Sequence, residues 1–226
     1  MDQLQLRESE VFGTLKGLQE FRFVIIGGYA VNAYALPRFS VDCDIVIENL
    51  AEAARIEAAL QKLGYRKTEP IDAGNPIDFA RYEKELADSF SVSFDLLIKV
   101  VFDRQTNVSI PAGWVFKNSE IRSLRGKTIA EKLSARIIVI DALFVMKMIS
   151  CRSTDIRDIF MMAASVKDRK WIKAEVSSRC DFKERLGRVI GIVTSKKFRN
   201  GLQGVYGLID NQTFQKSIDA INSLGY

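Results

Sequence analysis

Thirteen residues separate a glycine pair, Gly27-Gly28, from an acid pair, Asp42-x-Asp44, and each pair adjoins a short apolar run. Phe23–Ile26 ahead of the glycines reads as a buried strand, and Val41–Ile47 as a second strand that carries the acids. Between them, Gly28–Leu36 reads as a helix that stops at Pro37. Residues i and i+2 of a strand point to the same side. Asp42 and Asp44 therefore share one face, with Cα atoms about 6–7 Å apart. Cys43 points the other way, as a small buried residue. Two carboxylates on one open face suit a hard divalent cation such as Mg²⁺ (or Mn²⁺), which takes one or two carboxylates together with substrate phosphate. Backbone N–H groups at a glycine-rich helix start suit an anionic phosphate. One segment thus joins a phosphate cradle to a metal platform.

A third acid on a neighbouring strand would complete such a platform. In Ser91-Val-Ser-Phe-Asp95-Leu-Leu-Ile, the residues Ser91, Ser93 and Asp95 fall on one face, while Val92, Phe94 and Leu96 fall on the other. Asp78 and Asp103 are rivals, since both border apolar strand residues. Asp95 is preferred for its alternation. The chain has no histidine at all, which removes Ser-His and Cys-His catalysis and His-ligated zinc. Catalysis must rest on carboxylates, Lys, Arg and metal.

Along the rest of the chain, residues 4–20 read as an amphipathic helix. Asn49 reads as the N-cap of a helix running to Leu63, with Gly64 as its stop. Strands are predicted at Tyr65–Glu69, Ile77–Tyr82 and Ser91–Val101, with a loop over Pro70–Pro76. The stretch 103–136 is mixed and basic, with strands near Asn107–Ile110 and Glu120–Leu124. From Ile140 the pattern turns helical. A long helix reaches Ser150, Ser153 or Thr154 caps the next over Asp155–Val166, and further helices cover Trp171–Ser178, Phe182–Val193 and Asn211–Leu224. The fold class expected is α+β: a mixed sheet flanked by helices, then a C-terminal helical bundle. The division falls at 1–138 and 139–226, with a cleft between the halves.

Charge is uneven. Residues 1–100 hold 11 Lys/Arg and 16 Asp/Glu, whereas residues 101–226 hold 22 and 12. The acidic half carries the metal platform, and the basic half suits phosphate or nucleic acid. Lys167-Asp-Arg-Lys-Trp-Ile-Lys173 and Lys196-Lys-Phe-Arg199 mix basic with aromatic residues, as RNA-binding patches do. Solvated helix faces give the same pattern. No apolar run approaches the ~20 residues that span a bilayer. Three well-separated cysteines and a charged N-terminus predict a cytoplasmic protein with reduced thiols and no membrane partner.

Ile26-Gly27-Gly28, the thirteen-residue spacer and Asp42-x-Asp44 resemble the hallmark of the DNA polymerase beta-like nucleotidyltransferase superfamily. Arg38-x-Ser40-x-Asp42 is similar to the Arg-x-Ser/Thr-x-Asp form of its small prokaryotic members. The segment from Asp141 to Phe160, with Lys147, Arg152, Asp155 and Asp158, resembles part of AbiEii-type toxins. It departs from them in having Thr154 where many have a basic residue. The resemblance covers about residues 20–165. It implies transfer of an NMP from an NTP to a hydroxyl, on RNA (tRNA) or protein, with Mg²⁺ or Mn²⁺ held by Asp42, Asp44 and Asp95. Asp95 would also act as general base. Gly27, Gly28, Arg38, Ser40, Lys147 and Asp155 would bind the nucleotide, with Asp158 as the alternative acid. An antitoxin partner is implied with the toxin-type members. The other readings are an antibiotic-type nucleotidyltransferase of small molecules and a non-catalytic nucleotide-binding module.

Overall fold

The computed structural model describes residues 2–68, 78–87 and 90–225. The loop expected at Pro70–Pro76, with Glu69 and Ile77 beside it, lies outside the described residues. The chain divides into two compact units. One comprises Met1–Ala33, Pro37–Phe102 and Ser109–Ile138, and the other Tyr34–Leu36, Asp103–Val108 and Val139–Tyr226.

The first unit opens with α1 (Gln3–Gly17), β1 (Val24–Ile25), α2 (Gly27–Val31), β2 (Asp42–Ile47), α3 (Leu50–Lys62) and β3 (Arg66–Thr68). There follow β4 (Phe79–Ala87), β5 (Phe90–Ile98), β6 (Val100–Asp103), β7 (Val108–Pro111), α4 (Ala112–Lys117), β8 (Ser119–Arg125) and β9 (Lys132–Ile138). Seven strands form a mixed sheet in the order β3-β4-β5-β2-β1-β9-β8, and β6 pairs with β7. β2 runs antiparallel to β1 and parallel to β5. β4 runs antiparallel to β5, and β1 parallel to β9.

Sequence explains the faces. Phe94 and Leu96 alternate with Asp95 along β5 and are fully buried. Phe94 meets Tyr65 edge-on at 5.5 Å between ring centroids. The Tyr65 hydroxyl bonds Thr14 of α1 at 2.9 Å, so α1 covers the apolar side of the sheet. Cys43 is buried as its register requires, and burial raises its thiol pKa well above the ordinary value. Glu8, also buried, accepts from the backbone N–H groups of Lys127, Thr128 and Ile129 and from the Thr128 hydroxyl. A carboxylate so placed is stable because its oxygens meet several donors.

Asn49 caps α3 by accepting from the Glu52 N–H, and Gly64, at φ +91°, ends it. The helix after Gly27 is shorter than expected and stops at Val31. The buried Asn32 side chain then takes over the backbone. Its amide donates to the Arg38 carbonyl at 2.9 Å and its oxygen accepts the Arg38 N–H at 3.0 Å. The strand expected over Ser91–Val101 is broken at Lys99, whose φ is +65°. Helix α4 and strand β9 lie in the stretch that the sequence left as mixed.

The second unit holds α5 (Ile140–Ser150), α6 (Ser153–Met162), α7 (Arg169–Ser177), α8 (Phe182–Val193), α9 (Lys196–Tyr206) and α10 (Asn211–Asn222). Leu143, Phe144, Val145, Met148 and Ile149 are buried around α5, an apolar circumference typical of a central helix. Cys151, at φ +49°, closes it. Ser153 and Thr154 do not cap the next helix. Arg152 holds that place, and its N–H is taken by Asp155 at 3.2 Å. Asp168, Asp181, Ser195 and Asp210 cap the four helices that follow.

Candidate functional site

Register brings the acids together. In the parallel β2–β5 ladder Asp42 stands opposite Ser93, and Asp44 opposite Asp95. In the next ladder Arg81 stands opposite Asp95. Partners across a ladder share a face, so Asp42, Asp44, Asp95 and Arg81 lie on one side of three adjacent strands. Asp78 precedes β4 and lies off this face's registered pairs.

The glycine pair sits against this face. Gly27 has φ +64°, and a β-carbon there would overlap the Asp44 carboxylate. Only glycine combines that backbone with so close an approach. A β-carbon on Gly28 would overlap the Ser40 hydroxyl and lie 3.1 Å from an Arg38 guanidinium nitrogen. The Ile26 N–H donates to the Asp44 carbonyl at 3.0 Å, tying the glycine turn to the acid strand. Gly27, Gly28, Arg38, Ser40 and Asp44 are therefore neighbours in space.

Arg81 is the residue that the sequence did not single out. Its Nε donates to Asp95 Oδ1 at 2.7 Å and its Nη2 to Asp95 Oδ2 at 2.6 Å. Nη2 also lies 3.5 Å from Asp42 Oδ2. The side chains of Arg81, Asp95 and Asp42 are 34%, 9% and 36% exposed. Burial holds the Asp95 carboxyl above the usual carboxylate range, against the pull of Arg81. The hydrogen bonds to Asp95 raise the Arg81 pKa further, so it stays charged.

The donor set can be tested against a divalent cation. Asp42 and Asp44 offer hard oxygens on one partly open face, the chemistry such an ion takes. Asp95 has both oxygens in the guanidinium fork. Among the described residues no three His, Cys, Asp or Glu side chains gather as a metal-binding group. The pair fits an ion, and the third acid is committed to Arg81.

The other expected residues lie in the second unit. Lys147 Nζ contacts Asp155 at 2.8 Å and Asp158 at 2.9 Å. The side chains are 12%, 8% and 0% exposed, in that order. Tyr206 donates to Asp158 at 2.7 Å. Desolvation alone would lower the Lys147 pKa, but Asp158 and Asp155 outweigh it and raise it. Both rival acids thus pair with the same lysine. Asp103 is held by Ser150 at 2.6 Å and Arg152 at 3.0 Å. Of the two basic-aromatic clusters, the second loses its aromatic to the core. Phe198 is buried and packs on Phe160 at 5.2 Å between ring centroids.

No family model and no curated protein matches the chain. Solved structures do. An H. pylori protein carrying a provisional nucleotidyltransferase assignment superposes with a TM-score of 0.54 at 15% identity, over 99% of this chain and 95% of that one. The Helicobacter pylori protein JHP933 gives 0.48 at 16% identity, over 99% and 92%. Among the described residues no helix is long and apolar enough to cross a membrane. The chain has a nucleotidyltransferase-like α+β fold, a mixed sheet flanked by helices.

Proposed function

We propose that the protein is a nucleotidyltransferase that moves a nucleoside monophosphate from an NTP to a hydroxyl. The observation that carries this is the packing of Gly27-Gly28 onto Asp44, with Arg38 and Ser40 at its side and Asp95 one strand away. The bare glycine backbone lets a triphosphate approach the acid face, and Arg38 supplies positive charge there. Asp42 and Asp44 are the residues that would hold Mg²⁺ or Mn²⁺. When bound, such an ion supplies positive charge that offsets the charge of the departing pyrophosphate. The acceptor oxygen forms a bond to the α-phosphorus, the α–β bridging bond breaks, and pyrophosphate leaves. Asp95 takes the acceptor proton. Its two oxygens keep lone pairs beyond those given to Arg81, and its raised pKa improves it as a base.

RNA is the acceptor in this reading, because residues 101–226 carry 22 basic against 12 acidic residues. A toxin restrained by an antitoxin is the setting that the AbiEii-type resemblance suggests. Incubation with each α-labelled NTP, Mg²⁺, and total RNA or protein extract tests the reading. Label in RNA that vanishes with Asp44→Asn is the expected result. Label only in protein or a small molecule moves the acceptor. No transfer to any acceptor overturns the enzyme.

A further inference from the structure

We infer that Arg81 stands in for a second divalent cation, so that the acid face takes one ion, on Asp42 and Asp44, and leaves Asp95 to the guanidinium. This rests on the nucleotidyltransferase reading and adds its cation stoichiometry.

Three observations support it. The fork on Asp95 is bidentate, at 2.7 and 2.6 Å, the geometry in which a guanidinium binds a carboxylate most firmly. The same guanidinium reaches Asp42 at 3.5 Å. It therefore links two acids as a bridging metal ion would. The Arg81 backbone is also fixed. The β4–β5 ladder pairs residue by residue from Phe79 with Leu97 to Glu85 with Ser91. A residue at this register cannot withdraw its Cα without opening the β4–β5 pairing.

Burial agrees: the Asp95 side chain is only 9% exposed. A second ion on Asp95 would have to displace Arg81 and strip a mostly buried carboxylate of its partner, a costly exchange.

Equilibrium dialysis with Mn²⁺ and saturating inorganic tripolyphosphate counts the ions without assuming a base. The wild type should hold about one Mn²⁺ per chain in excess of the free complex. Asp42→Asn should lose it. Asp95→Asn should keep it, with affinity changed by less than about threefold. Arg81→Met should open Asp95 and raise the count to about two. If Arg81→Met does not fold, as judged by circular dichroism, Asp95→Asn decides alone. About two ions in the wild type, with one lost in Asp95→Asn, overturns the inference and leaves the enzyme reading intact. So does loss of the single ion in Asp95→Asn, or an unchanged count in a folded Arg81→Met. No ion at all in the wild type overturns both.

Discussion

Arg81 and Lys147 each sit between two aspartates, and water separates their roles. Arg81 lies between Asp95 and Asp42 with its own side chain a third exposed, on the face that carries the glycine pair. Lys147 lies between Asp155 and Asp158, and Asp158 is sealed completely. Two carboxylates and one cation leave the same formal charge in both places. On the open face solvent reaches that charge. In the sealed one it must be answered within the chain, and Tyr206 donates to Asp158 there. The same composition is answered by water where solvent enters and by the chain itself where it does not.

The largest effect should come from breaking the sealed cluster. Lys147→Met leaves two buried carboxylates without their cation and should cost about 3–5 kcal/mol in urea denaturation. A loss near zero would place Lys147 with Arg81. Neutralising the cluster throughout, with Lys147→Met, Asp155→Asn and Asp158→Asn, should restore the fold. Calorimetry of that variant with a triphosphate then tests the nucleotide contact expected of Lys147. Unchanged affinity removes it from the site.

The open pair should behave in the opposite way. Asp95→Asn should lower transfer by about a hundredfold, near 2.7 kcal/mol in the barrier. Asparagine leaves no buried charge at position 95, and Arg81, itself a third exposed, keeps Asp42 at 3.5 Å, so stability should fall by only about 1 kcal/mol. A stability loss as large as that of Lys147→Met would erase the contrast.

Gly27→Ala comes next. Its β-carbon would need a left-handed φ and would meet the Asp44 carboxylate, so a loss of about 1–3 kcal/mol is expected. Triphosphate binding should fall with it, and a fully active Gly27→Ala would separate the glycine turn from the site. The smallest effect concerns Asp103. Burial opposes its ionisation, but the hydrogen bonds from Ser150 and Thr106 and the charge of Arg152 outweigh it and lower its pKa. A depressed carboxyl contributes stability above its unfolded pKa, and loses it as pH falls through the folded one. Acid titration of Asp103→Asn should be shallower than that of the wild type below about pH 4. Identical curves would leave Asp103 without that role.

Much of this was legible before any coordinate. Alternation located Asp42, Asp44 and Asp95, because period-2 patterns survive in any half-buried strand. Asn49 and Gly64 announced the ends of α3 through side-chain chemistry that acts locally. Arg81 was not legible. Phe79-Ala-Arg-Tyr-Glu-Lys reads as an ordinary polar face, and only the β4–β5 register sets Arg81 opposite Asp95. Its one sequence signal was a lone arginine alternating with Glu83 and Glu85. Asn32 was hidden similarly, since nothing local says that its amide will fold back on Arg38. Helix α9 was missed because Gly201 and Gly204 weaken helix propensity. Lys132-Leu-Ser-Ala-Arg-Ile-Ile, now β9, did alternate and could have been found.

The position of β9 bears on synthesis. It pairs in parallel with β1, more than a hundred residues upstream, and separates that strand from β8. Until residue 138 has left the ribosome, β1 has a bare edge on one side. At roughly 5–20 residues per second, the stretch from β1 to β9 takes about 6–23 s to make. Throughout that interval the nascent sheet exposes an apolar strand whose edge any other chain can occupy. A stop codon placed before β9 should therefore yield an aggregating fragment rather than a smaller folded protein, even though it would retain Asp42, Asp44 and Asp95.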